Sequence, residues 1–324
     1  MPGFYMLSLL SGFFEIAPFV IALHGKGVMA ALTVALCYQL GNLAPCPLRL
    51  SLAMTRAAAL CGAAFLAVYA LTGLFPLLCI AVALLSIALQ SARSSEKSAM
   101  SKPLKRLLRV AGFGLGLFGM PLALLISGAA AVVLVWMGKS NNLGSAVFVP
   151  RLNAMNAVMV LHQVHYFSYC YAAIALAAVY AGTGAALGLF LAGWVVYITA
   201  ARLYRRYQLQ QAFFFGHSLL VLLLLGMYFV PSLPLKAALW VLTGLGGTTE
   251  FCIARLSRER GGTGDGGIFA ENTGHVLGVA LCMAAYALTQ ELFAVLFVSA
   301  AAAGGAIVLM AVVVLLGRRH FQCV

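Results

Sequence analysis

The sequence has few charged residues: Asp, Glu, Lys and Arg make up only 8% of its 324 positions. A soluble domain usually carries about a quarter. Acids are especially scarce, with seven Asp and Glu against 20 Lys and Arg. Hydrophobic residues account for 64% of the chain, and the mean hydropathy is +1.03. No soluble fold buries that much apolar surface, so we expect the lipid bilayer to be the solvent.

The sequence also lacks the motifs of several functional classes. None of its eight cysteines forms a CxxC pair, so neither a disulfide framework nor a zinc site of that type is indicated. The glycines of 112–119 follow no strand and therefore do not indicate a phosphate-binding loop; we expect them to let helices pack closely. The net charge of +13 arises from basic loop residues, which orient membrane proteins. We therefore expect no nucleic-acid partner and no cofactor.

Apolar runs separated by charged or turn-rich breaks predict an all-α integral membrane protein. There are eleven such runs: 4–23, 27–46, 57–74, 76–92, 110–137, 153–180, 183–201, 212–230, 234–253, 268–288 and 292–316.

Charge distribution favours twelve spans over eleven. Pro121 lies near the middle of 105–138, and proline disrupts a continuing helix. If 105–138 crosses the membrane twice, nearly all basic residues fall on the cytoplasmic side, together with both termini. With a single crossing, fewer than half of them do. The positive-inside rule therefore predicts two short helices in this region.

Twelve spans, with basic loops after spans 2, 4, 8 and 10, form a repeated two-half pattern. The segments 41–56 and 201–210 occupy the loops after spans 2 and 8. In position and basic character they resemble the signature loops of the major facilitator superfamily, although neither carries the acidic residue of that signature. The Gly- and Pro-rich run 109–128 likewise resembles the fifth span of exporters in that family.

This resemblance implies two pseudo-symmetric six-helix bundles, 1–139 and 153–324, joined by a cytoplasmic linker, 140–152. It also implies a monomeric secondary transporter of a bacterial inner membrane. We expect alternating access, a small polar solute, proton coupling and export. Gating roles are expected for basic loop residues and one neighbouring acid: Arg49, Arg205, Arg206 and Glu250.

Glu15 is the first candidate site residue. It lies about eleven residues into the first span, near the midplane of the hydrocarbon core. Pro18 can loosen the helix beside it. Because charged groups within a bilayer are costly, we expect a proton-coupling or substrate-binding acid. The alternative is a protonated carboxyl group hydrogen-bonded to a neighbour.

A second cluster lies in 156–173. His162 and His165 are spaced i, i+3 and share a helix face. Since span 7 is the counterpart of span 1, the resemblance implies that His162 faces a cavity shared with Glu15. The alternative is helix–helix hydrogen bonding. No third zinc ligand is evident, so no metal site is predicted, and His217 is expected to be peripheral. Further substrate-binding candidates on this helix are Gln163, Tyr166 and Tyr169.

Glu271 and His275 are i, i+4 neighbours at the start of span 11. They predict either a cytoplasmic gate or proton relay, or a helix-terminal pair in which the dipole favours Glu271. Glu250 lies close to Arg255 and Arg258, so an ion pair is its alternative role.

Two other functional classes remain open from the sequence. In a polytopic membrane enzyme, an intramembrane set would form the catalytic or metal site. A non-transporting scaffold would tolerate changes at the candidate transport residues. The residues of the enzyme set are His162, His165, Glu271 and His275.

Overall fold

The chain folds into helices that form two compact units, Met1–Val149 and Pro150–Val324. The computed structural model describes residues 2–48, 50–94, 102–138, 153–204, 206–247, 250–259 and 264–321. Within these ranges the secondary structure elements are all helices. The predicted linker 140–152 lies outside the described residues.

The described part of unit 1 contains six helices: α1 Pro2–Lys26, α2 Val28–Leu43, α3 Leu52–Thr72, α4 Phe75–Ser94, α5 Lys102–Gly116 and α6 Pro121–Met137. The most extensive packing joins α1 to α5. The turn between α1 and α2 contains Gly27 at φ 87°, and the α3 C-cap is Gly73 at φ 67°, backbone conformations that glycine adopts readily. Ser51 caps α3 by accepting a hydrogen bond from the backbone N–H of Met54 at 3.2 Å.

The break between α5 and α6 confirms the interruption that Pro121 predicts. The chain leaves the helix after Gly116, and Gly119 adopts φ 57° before Pro121 begins α6. Proline suits a first helical turn because the missing N–H has no intrahelical partner there. The run 110–137 is thus split between two helices of 15 and 17 residues. Each is shorter than the roughly 20 residues of a full span.

Unit 2 begins with a long helical segment that bends sharply. Within Ala154–Tyr204, Gly182 has φ 83° and ψ 166°, so two helices meet there without an intervening loop. This break separates the predicted runs 153–180 and 183–201. The elements are α7 Ala154–Tyr204, α8 Leu209–Phe229, α9 Leu233–Leu242, α10 Gly244–Gly247, α11 Glu250–Glu259, α12 Gly264–Thr289, the 3-10 turn Leu292–Ala294 and α13 Val295–Phe321.

Several charged residues lie outside the predicted apolar runs and yet belong to helices. Among them are Arg109 in α5, Glu259 in α11 and Asp265 in α12. The predicted span 234–253 falls within one candidate membrane span, Leu233–Glu259, but the helix is interrupted at Thr243. Three glycines follow within the next four residues, and glycine weakens a helix.

The described helices fit a bilayer. Eight segments are long and apolar enough to cross a membrane, and α2 and α6 are shorter apolar helices. Such lengths match the roughly 30 Å hydrocarbon thickness. The chain is an integral membrane protein.

Candidate functional site

Close contact between α1 and α5 positions Glu15. A Cβ atom added at Gly12 would clash with the carbonyl group of Arg109, and one added at Gly112 would clash with that of Leu9. A Cβ atom at Gly116 would meet the side chain of Ile16. The two backbones therefore touch, as small residues allow in membrane helix pairs. This confirms the packing role expected for the glycines of 112–119.

Glu15 forms an ion pair with Arg109 across this contact. Its Oε2 accepts hydrogen bonds from Nε at 3.2 Å and from Nη2 at 2.8 Å. Glu15 is only 7% exposed, whereas the Arg109 side chain is 34% exposed. A buried carboxylate needs such a partner, because leaving it uncompensated is costly. Sequence reasoning missed Arg109, since it lies just outside the apolar run 110–137, among the basic loop residues expected to orient the protein.

Unit 1 also contains a buried network of neutral polar groups that sequence reasoning missed. The Tyr38 hydroxyl donates to the Ser11 carbonyl at 2.8 Å. Ser86 Oγ lies 2.8 Å from the Tyr38 carbonyl oxygen and 3.0 Å from Asn42 Oδ1. Asn42 Nδ2 donates to Gln39 Oε1 at 3.3 Å. The available signal was the i, i+3 spacing of Gln39 and Asn42, which places both amides on one face of α2.

The strongest cluster in unit 2 consists of three imidazoles. His162 and His165 come from α7, and His217 comes from α8. His162 Nδ1 lies 3.0 Å from His217 Nε2 and 3.1 Å from His165 Nε2. All three are at most 2% exposed. The expectation that His162 and His165 share a face is confirmed, and the expectation that His217 is peripheral is wrong.

Hydrogen bonding fixes the orientation of His217. Its Nδ1 lies 3.1 Å from the Phe213 carbonyl oxygen one helical turn earlier. Since a carbonyl group only accepts, Nδ1 carries the proton, and Nε2 directs its lone pair toward His162. In contrast, His165 Nδ1 is buried without a hydrogen-bond partner among the described residues.

The other candidate residues lie on α7 with these histidines, and one of them, Tyr169, contacts His165. Tyr169 stacks beside His165 with ring centroids 6.4 Å apart, and its hydroxyl lies 3.2 Å from Thr243 Oγ1. Tyr166 contacts Tyr169 edge-on at 5.8 Å. Gln163 is buried, with its Nε2 3.8 Å from the sulfur atom of Met159. Their predicted role in binding a solute stays a prediction.

Glu271 and His275 approach each other on α12 as the spacing predicts. Glu271 Oε1 lies 4.0 Å from His275 Nε2. His275 is buried against Phe167 of α7, with ring centroids 3.8 Å apart. The helix dipole acts mainly within the first helical turn. Because α12 begins at Gly264, Glu271 lies beyond that turn. This weakens the helix-terminal alternative, and gating or proton relay stays a prediction.

The structure gives limited information on the predicted gating set. Arg49 and Arg205 lie outside the described residues, and Arg206 is exposed in the turn after α7. Glu250 begins α11 and is half-buried. Arg255, expected near Glu250, donates to Glu259 at 3.2 Å instead. Both partners of that pair are largely exposed, so the pair contributes little to stability.

Structural similarity to known proteins extends along nearly the whole chain, whereas sequence comparison finds no match. No family model and no curated protein matches the sequence. Among solved structures, the nucleoside transporter NupG is 14% identical, with a TM-score of 0.62 over 96% of this chain and 98% of its own. A bacterial metal transporter is 15% identical, with a TM-score of 0.60 over 96% and 97%.

A third similar structure is a bacterial homologue of the iron transporter ferroportin in an outward-facing state. It is 14% identical, with a TM-score of 0.59 over 96% of this chain and 98% of its own. Identities this low carry information about the fold alone. The structural similarity and the helical architecture described above show that the chain has the fold of the major facilitator superfamily, as its sequence pattern predicts.

Proposed function

We propose that this membrane protein is a secondary transporter that moves a small polar solute by alternating access. The observation that carries the proposal is the likeness to transporters over 96% of the chain. Buried ionisable groups in apolar helices support it, because such groups are costly in a membrane and mark solute or proton pathways. Glu15 and His162 are the leading examples.

The finer features of the proposal come from the sequence. We assign proton coupling to Glu15, solute binding to His162 with Gln163 and Tyr169, and the direction of transport to export. The proposed location is a bacterial inner membrane. The burial of the Glu15 carboxylate beside a cationic partner supports the coupling role, because ionisable groups inside a membrane mark solute and proton pathways.

We also propose twelve spans. Unit 1 supplies α1–α6. Unit 2 supplies six segments if the bend at Gly182 divides α7 into two spans and Leu233–Glu259 forms one interrupted span. With both termini in the cytoplasm, the basic residues then follow the positive-inside rule.

Reporter fusions test this topology. A reporter that is active only outside the cytoplasm is expected to be active when fused after Met120 and inactive when fused after Asn141. The reason is that α5 and α6 cross as a pair, with their connection on the outer side. A fusion at Gly27, between α1 and α2, serves as the outward-facing control. Activity at Asn141 but not at Met120 contradicts the twelve-span arrangement.

Reconstitution tests transport itself. Purified protein in proteoliposomes, under an imposed pH gradient, is expected to move at least one solute from a panel of nucleosides, amino acids, organic acids and metal ions. The rate must exceed that of protein-free vesicles and respond when the gradient is reversed. Absence of movement for the whole panel, from a monodisperse preparation, contradicts the proposal.

The compared structures are all transporters, and the expectation that this chain is not an enzyme agrees with them. The enzyme alternative required four residues to converge on one site. In the structure, His162 and His165 lie with His217, which that set did not include, and Glu271 approaches His275 on α12.

A further inference from the structure

We infer that His162, His165 and His217 form a binding site for a divalent transition-metal ion of the zinc class. The inference goes beyond the proposed transport function and does not depend on it, because it concerns equilibrium binding. It rests on the geometry of the three rings and on the orientation of His217.

The spacing of the ring nitrogens suits a metal ion. Zinc binds imidazole nitrogens at about 2.0–2.1 Å in a tetrahedron, which separates neighbouring ligand atoms by roughly 3.3 Å. Two of the pairs are 3.0 and 3.1 Å apart, and one ligand atom from each ring lies within 4.8 Å of the others. Small ring movements therefore complete a three-coordinate set.

Hydrogen bonds alone do not satisfy this cluster. A ring nitrogen carries either one proton or one lone pair, yet His162 Nδ1 faces nitrogens of both His165 and His217. If His162 Nδ1 donates its proton to His217 Nε2, the same proton is not fully available for a hydrogen bond with His165 Nε2. If His162 Nδ1 instead accepts a hydrogen bond from His165, its lone pair faces the lone pair of His217 Nε2. A cation that accepts a lone pair from each ring resolves the conflict.

The surroundings match those of known imidazole sites. A metal-binding histidine usually donates its other ring N–H to a carbonyl or carboxylate group, which fixes the tautomer and orients the ring. His217 makes such a bond with the Phe213 carbonyl. His165 departs from this pattern: its Nε2 faces the cluster, while its buried Nδ1 has no hydrogen-bond partner among the described residues.

The donor set indicates the class of ion. Three imidazoles suit zinc, cobalt, nickel or copper, whereas magnesium and calcium prefer oxygen ligands. Three protein ligands leave a fourth position for water or a small anion. The ligands come from two helices, so a bound ion also links α7 to α8.

Equilibrium dialysis provides the test. The full-length protein, purified in detergent without a polyhistidine tag and stripped with a chelator, is dialysed against Zn²⁺ or Co²⁺ and analysed for metal. We expect about one ion per chain. Bound Co²⁺ should show the intense visible absorption of a four-coordinate imidazole complex. His217→Gln and His165→Gln are expected to lose both the ion and the spectrum.

His24→Gln is the matched control, because His24 is exposed at the end of α1. It should bind as the unaltered chain does. Size-exclusion chromatography verifies that each variant stays folded. The inference is overturned if the unaltered chain binds no metal or gives the pale spectrum of six-coordinate cobalt. It is also overturned if a folded His217→Gln or His165→Gln protein retains the original stoichiometry and spectrum.

Discussion

Glu15→Gln is expected to reduce pH-gradient-driven transport to the level of protein-free vesicles, while solute exchange without a gradient continues. Glutamine keeps the size of the side chain and still accepts a hydrogen bond from Arg109, but it neither binds nor releases a proton. The variant therefore separates proton coupling from solute binding. Parallel measurements of gradient-driven flux and counterflow in proteoliposomes check the expectation.

The surroundings of Glu15 make this substitution specific. Helices α2, α4 and α6 also pack against α1, and they contain no acidic residue, lysine or histidine. Their one charged residue is Arg93, near the end of α4. Helix α5 carries Lys102, Lys105 and Arg106 besides Arg109, and Arg109 is the residue that forms the ion pair with Glu15. Glu259→Gln makes the same chemical change at an exposed ion pair and should preserve coupling. Gradient-driven flux that survives Glu15→Gln contradicts the coupling role.

Gly112→Ala is expected to destabilise the protein by about 1–3 kcal/mol, the usual cost of forcing an extra carbon into a packed interior. The added Cβ atom would clash with the Leu9 carbonyl group, and backbone cannot move aside as a flexible side chain does. Helices α1 and α5 must then separate, which also stretches the Glu15–Arg109 pair. Thermal denaturation in detergent, followed by loss of the monodisperse species, measures the effect.

Gly188→Ala provides the matched control. Gly188 lies within α7 beyond the bend, is exposed, and has no atom within 4 Å of the position a Cβ would take. Alanine should stabilise the helix there by roughly 0.5–1 kcal/mol, because glycine loses more backbone entropy on folding. The two substitutions therefore have opposite expected signs. Equal stability of both variants would show that α1 and α5 are not in backbone contact.

Features that depend on one helix at a time were predictable from the sequence. Apolar runs located the helices, and Pro121 marked the break between α5 and α6. Side-chain spacing placed His162 beside His165 and Glu271 beside His275. These predictions succeed because helix periodicity is fixed by local backbone geometry.

Contacts between helices were not predictable in the same way. His217 joins His162 across 55 positions, and Arg109 meets Glu15 across 94. Periodicity assigns residues to faces but does not say which faces meet, since that depends on how helices cross and pack. Counting charges also gave a wrong expectation for Arg109, because the count treats a basic residue near a loop as an orienting residue and takes no account of a buried partner. The interruption at Thr243 escaped notice because apolar residues continue on both sides of it.

The long separation between α1 and α5 has a consequence for biosynthesis. Arg109 follows Glu15 by 94 positions, and chains grow at about 5–20 residues per second. Helix α1 therefore waits roughly 5–20 s for the cation that neutralises its carboxylate. During that interval the nascent chain holds an acidic group, and Gly12 on the same helix is not yet covered by α5. Helix α1 is therefore expected to stay with the insertion machinery until α5 emerges.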